Sequence, residues 1–269
     1  MSFDLLLCLG AGLILLAFAA YGFVVARERK AQYPSAAMSL VGSTTKGRLH
    51  EADQLSDSQK RLLTFCLLPS YIRREPLLTL KTGSEGLAAV QAMLAHDFGI
   101  DNRDALLEQI DYLLSGVRST ALDNQLLNPD ERITALRTEI AHALQLSPES
   151  LANLESAYAW DLGEAAELTK LGAAARYLTT DELWNYLEQI SDSAQRLGRD
   201  WYEYTLSYLV GRSMELGDFA TIKELAYTIF HLPSSAVAKT PGLNAYTQYR
   251  FTINKDATGM CLDSKHCHC

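Results

Sequence analysis

The stretch Asp101-Asn-Arg-Asp-Ala-Leu106-Leu107-Glu-Gln-Ile110-Asp-Tyr-Leu113-Leu114-Ser-Gly116 carries the signals of a complete α-helix. Asp101, with Asp104 three residues on, supplies carboxylate oxygens at the start, where backbone N–H groups have no partner within the helix. Leu106, Leu107, Ile110, Leu113 and Leu114 recur at three- and four-residue intervals, the stripe of a helix with one face in a core. Gly116 then follows, the residue that most readily takes the left-handed conformation closing a helix.

The same grammar repeats on both sides. Asn128-Pro129 opens a helix with Ile133, Leu136, Ile140 and Leu144 at helical spacing, and Ser147-Pro148-Glu149 opens the next. Thr179-Thr-Asp-Glu182 is a capping box, followed by Leu183, Trp184, Leu187 and Ile190. Asp200 caps a helix over 201–215, and Gly217-Asp218 separates it from another over 219–230. Upstream, Asp57 or Ser58 precedes a helix over 59–68 that Pro69 ends, and Ser84 with Glu85 opens one that Gly99 closes. The one strand-like stretch is 246–253, where Tyr, Thr and Phe concentrate. The predicted fold class is all-α, with about eight helices in a soluble domain over residues 58–232 and an extension over 233–269.

Residues 5–25 form an apolar run broken only by Gly and Tyr21. At about 1.5 Å per residue it spans roughly 31 Å, the thickness of a bilayer's hydrocarbon core. A cleaved signal peptide is the rival reading, but Met1-Ser-Phe-Asp4 carries no positive side chain before the run. Arg27, Arg29 and Lys30 come after it, and basic residues flank the cytoplasmic end of a span. Residues 1–30 therefore read as a single N-terminal transmembrane helix with its basic flank, in the inner membrane, with the domain facing the cytoplasm. Residues 31–57, small and polar with Pro34, Gly42 and Gly47, read as a linker.

The chain has 269 residues, 21% charged, with a formal net charge of −8. A nucleic-acid footprint wants the opposite sign concentrated on one face, so no nucleic-acid partner is expected. The five cysteines, Cys8, Cys66, Cys261, Cys267 and Cys269, are odd in number and crowd the C-terminus, which is not a disulfide framework. Free thiols suit the reducing cytoplasm.

The most distinctive block reads Ala157-Tyr-Ala-Trp160-Asp161-Leu-Gly163, then Tyr177-Leu-Thr-Thr-Asp-Glu-Leu-Trp184, Asp200-Trp201-Tyr-Glu-Tyr, and Ser207-Tyr-Leu-Val-Gly211-Arg212. With Phe98-Gly-Ile-Asp-Asn-Arg103-Asp and Tyr112-Leu-Leu-Ser-Gly116-Val-Arg118 upstream, it closely resembles the bacterial family catalogued as domain of unknown function 1266 over residues 85–230. Glu164 stands where that pattern has Arg, Arg176 where it has Gly, and Tyr112 where it has Trp. The resemblance implies a domain family and no biochemical activity.

Trp160, Trp184 and Trp201 are the chain's only tryptophans, and aromatics at helical spacing read first as core and second as a ligand-facing wall. Asp161 and Arg212 are single charges in apolar motifs: a structural ion pair or cap, an exposed charge, or part of a site with Tyr177. Glu164/Glu167 and Asp181/Glu182 read as solvated helix faces. No Gly-x-Ser-x-Gly, His-Glu-x-x-His or Cys-x-x-Cys occurs. No cofactor is predicted, although Cys261, His266, Cys267, His268 and Cys269 are soft ligands able to hold Zn²⁺ or Cu⁺ in no standard spacing. The function that follows is a membrane-anchored interaction or regulatory module with a protein partner. The alternatives are an enzyme with a site near Asp161, Tyr177 and Arg212, or metal handling by the tail.

Overall fold

The computed structural model describes residues 55–83, 86–147, 149–198, 200–217, 242 and 244–251. In chain order the elements are α1 (Asp57–Leu63), a 3-10 turn (Thr64–Cys66), α2 (Leu67–Arg73), α3 (Leu87–Phe98) and α4 (Arg103–Leu114). There follow α5 (Val117–Leu127), α6 (Glu131–Ala143), α7 (Glu149–Ala152), α8 (Tyr158–Ala174), α9 (Thr180–Leu197), α10 (Trp201–Leu216) and α11 (Ala245–Gln248). The described residues are all-helical, without a strand, and none of their helices is long and apolar enough to cross a membrane. The expected span over 5–25, the helix over 219–230 and the Cys/His tail lie outside the described residues.

Caps set most boundaries. The Thr179 hydroxyl accepts from the Glu182 N–H while the Glu182 carboxylate accepts from the Thr179 N–H at 2.8 Å, the reciprocal box expected for α9. Asp200 caps α10 through the Glu203 N–H, also as expected. Three expectations are corrected. Asn102, not Asp101, caps α4: its side-chain oxygen accepts from the Ala105 N–H at 2.9 Å, and Asp101 instead accepts from the Asn102 amide. Ser56, not Asp57 or Ser58, caps α1 in a box with Gln59. Pro69 does not end a helix; it sits in the first turn of α2, where a backbone N–H has no intrahelical acceptor to lose.

α8 runs through the middle. It packs against α9, α10, α4, α2, α3, α5 and the 3-10 turn, and every residue from 159 to 172 is buried except Glu164. Helices approach it closely where side chains are missing. A Cβ at Gly163 would lie 2.6 Å from the Tyr208 ring, and one at Gly211 would lie 2.9 Å from the Ala157 carbonyl oxygen. Around Trp201 at the start of α10, Phe65, Tyr204, Tyr246 and Phe251 form an aromatic cluster. The Trp201 indole N–H donates to the Tyr249 carbonyl at 2.8 Å, and Arg61 donates to the Phe251 carbonyl at 2.9 Å. This cluster explains why the aromatics near 246–251 make no strand: they seal one end of α10, with residues 245–248 helical.

Candidate functional site

The charged groups gather where the N-termini of α5 and α8 meet. α5 begins after Gly116, which has φ 69° and offers no side-chain cap. The missing cap comes from α8. Buried Asp161 accepts from the Ser119 N–H at 3.0 Å, so a carboxylate faces the positive end of α5. α5 returns the service. Asp123 accepts from the Ala157 N–H at 2.7 Å and the Ser156 hydroxyl at 2.9 Å, at the start of α8.

Arg118 completes the cluster, donating to Asp161 and to Glu164 at 2.5 Å each, with Glu215 at 3.6 Å. Burial pushes the Asp161 carboxyl up to about 6, with the Arg118 charge pulling against it. Arg118 and Arg212 each bring a guanidinium to 5.4 Å from the Trp160 ring centroid, and the indole N–H donates to Glu215 at 2.7 Å. Glu164, the departure from the family pattern, thus serves as a partner of Arg118.

Beside this cluster a small cleft opens between α2, α3, α8 and α10, with about 10 Å³ of enclosed space, roughly the room of one water. Arg73 and Ile72 border it from α2, Phe98 from α3, Trp160, Glu164 and Glu167 from α8, and Tyr208 and Arg212 from α10. Arg73 lies over the Phe98 ring at 4.3 Å and pairs with Asp97 at 3.1 Å. Glu167 is 1% exposed, which corrects its expectation as part of a solvated face. Its Oε2 accepts from Ser70 at 2.6 Å, and the Lys170 ammonium donates to the same hydroxyl at 3.1 Å and to the Pro76 carbonyl at 2.8 Å. Glu167 Oε1, by contrast, is buried and accepts no hydrogen bond. An unsatisfied buried acceptor costs about 1–3 kcal/mol, more for a charged group, so something normally answers it.

The sequence-derived candidates divide. Trp160, Asp161 and Arg212 come together. Tyr177 lies just past the opposite end of α8, which ends at Ala174, roughly 20 Å along the helix from Asp161 at about 1.5 Å per residue. Its hydroxyl donates to the Asp101 carbonyl at 2.9 Å, and its own carbonyl accepts from Arg103, which is paired with Glu182. Trp184 is half-buried against the core from α9, and Trp201 belongs to the aromatic cluster. Arg118, Glu215, Ser70, Lys170 and Arg73 join these charged groups although no local sequence signal marks them. Cys66 is buried, donates its S–H to the Ala166 carbonyl at 3.3 Å, and burial pushes its thiol well above the ordinary range, so it is a packing residue. Among the described residues no group of three or more His, Cys, Asp or Glu is gathered to hold a metal ion.

Comparison with curated proteins and with solved structures gives no match. Residues 93–231, just over half of the chain, match the family described as protein of unknown function (DUF1266), and the chain belongs to that family.

Proposed function

We propose that the chain is a membrane-tethered helical module that acts by binding another protein. The tether is the apolar run over 5–25, and the basic flank at Arg27, Arg29 and Lys30 puts the domain on the cytoplasmic side of the inner membrane. The observation that carries the binding role is the outer side of α5. Val117 is 62% exposed and Leu127 58%, and Tyr112 stands 42% exposed just across the turn before α5. Val117 and Leu127 stand at the two ends of α5, about 15 Å apart, and the reading takes them with Tyr112 as the apolar groups that a partner would cover.

The test is recovery of the tagged full-length chain from its native membranes, beside a Val117→Glu/Leu127→Glu variant with the same melting temperature. The reading expects resistance to carbonate extraction and a co-purifying protein that the variant loses. Recovery in the soluble fraction, or the same partners with both chains, would overturn it. Asp161, pushed up to about 6, favours a second reading as an enzyme, yet its carboxylate faces Arg118 and Ser119 rather than the cleft. A Zn²⁺ or Cu⁺ site in the Cys/His tail remains a separate proposal.

A further inference from the structure

Residues 244–251 lie on the helical body as a bound peptide lies in a groove. α11 is a single turn without a side-chain cap, and Tyr249 beyond it is extended, with φ −111° and ψ 135°. Thr247, Gln248 and Arg250 are exposed, whereas Ala245, Tyr249 and Phe251 are buried, so one side of the segment is wet and the other anchored. Tyr246 stacks on the Trp201 ring at 4.9 Å, and Phe251 meets the same ring edge to face at 4.9 Å. Tyr249 instead joins Leu67 of α2 in a small apolar cluster apart from the main core. The main chain is held as well. The Trp201 indole N–H donates to the Tyr249 carbonyl at 2.8 Å, and Arg61 donates to the Phe251 carbonyl at 2.9 Å while also donating to the Ser191 hydroxyl at 3.1 Å. Side-chain donors fixed on helices thus meet carbonyls two residues apart in extended chain. Grooves that take extended peptides work in this way: main-chain bonds give affinity, and separate pockets for side chains give specificity.

We propose that this groove, built by α1, the 3-10 turn, α2 and α10, is a peptide-docking site that the chain keeps closed with its own segment. Its occupant in trans is a partner's segment with aromatic residues at the first, fourth and sixth positions, the places held here by Tyr246, Tyr249 and Phe251. The segment seen in the groove defines that chemistry: three rings on one side and two carbonyls presented to Trp201 and Arg61. A segment joined to its own groove competes at an effective concentration of about millimolar, so a free peptide enters once the strap is loosened. The groove uses the start of α10, whereas Arg118 of α5 meets Glu215 near its end. The inference therefore goes beyond the docking role of α5 and stands or falls separately from it.

The test adds a fluorescein-labelled peptide, Asn244-Ala-Tyr-Thr-Gln-Tyr-Arg-Phe251, to the full-length chain in detergent and reads anisotropy. A Tyr246→Ala/Phe251→Ala chain, which strips two anchors from the strap and leaves α1, α2 and α10 unaltered, should bind the peptide. The unaltered chain should bind it at least about tenfold more weakly. The peptide should also raise the melting temperature of the variant and leave that of the unaltered chain unmoved. The same residues in reversed order should bind the variant at least about tenfold more weakly than the native order. A variant that is unfolded with and without peptide would show the segment to be core rather than strap and would overturn the inference. So would equal binding to both chains, or binding to neither at millimolar peptide. An unaltered chain that is a dimer, made monomeric by the two substitutions, would likewise overturn it by assigning the groove to a second copy.

Discussion

Gly211→Ala adds one methyl group where α10 crosses the start of α8. The new Cβ would lie 2.9 Å from the Ala157 carbonyl oxygen, 2.8 Å from the Trp160 Cβ and 3.0 Å from the Ala157 Cβ. All three neighbours are main chain or the first atom of a side chain, so no change of rotamer makes room. α10 must instead move off α8, carrying Tyr208 and Arg212 with it. Overpacking by one methyl costs about 1–3 kcal/mol, and the upper end applies when nothing can rotate away. Better helix propensity returns about 1 kcal/mol. The net loss is about 2 kcal/mol, or roughly 4–8 °C for a domain of this size. Gly172→Ala is the paired control: its methyl meets Leu106 Cδ2, the end of a side chain that can turn, so it should cost about 1 kcal/mol or less. Gly163→Ala, against the Tyr208 ring, should fall between them. The assay is thermal unfolding of the full-length variants followed by far-UV circular dichroism. If Gly211→Ala melts with the unaltered chain, or above Gly172→Ala, backbone contact does not set the distance between α8 and α10.

Asp161 gives a pH test. Its folded carboxyl titrates at about 6 against an ordinary 3.8, so the stability tied to its protonated form is complete below about pH 4 and lost as pH rises through 6. The loss is ~3 kcal/mol, and Asp161→Asn should be spared it: denaturant midpoints of the two chains should diverge between pH 4 and 6 and run parallel above. A constant difference across that range would show that Asp161 is not desolvated. Trp160→Ala and Trp201→Ala should each cost about 3–5 kcal/mol as buried aromatics; either variant melting with the unaltered chain while losing a partner would mark that ring as a contact surface. A chain ending at Met260 should match the full chain in melting temperature and metal content, whereas loss of one equivalent of Zn²⁺ or Cu⁺ with the tail would establish a metal site there.

Helices with their own cap and stripe were legible from residues alone. Thr179 and Glu182 announced α9, and Asp200 announced α10. α5 carries neither signal: Gly116 offers no side-chain oxygen, only Ser119 and Leu126 are buried, and its cap arrives from Asp161 on another helix. The pairing of Asp161 with Arg118 likewise spans 43 residues of sequence and leaves no local trace. The burial of Glu167 does leave a local trace. Asp161, Glu164, Glu167 and Lys170 follow one another at three-residue steps, and each step falls roughly 60° short of a full turn. Such a series winds around half the helix and cannot share one solvated face, so some of its members had to be buried on any packing of α8.

The coverage of α8 has a consequence for the order in which the chain can become itself. α9 and α10, which cover much of it, both follow it in the sequence. During synthesis α8 therefore emerges before the two helices that cover much of it, although every residue from 159 to 172 except Glu164 is buried in the finished fold. Until residue 216 has left the ribosome the segment has no stable place to go, which makes this interval the chain's period of greatest exposure to aggregation and to chaperones. Once α10 closes over it, the amide protons of α8 should reach solvent only when the whole domain opens, while those of the short α7 exchange by local fraying.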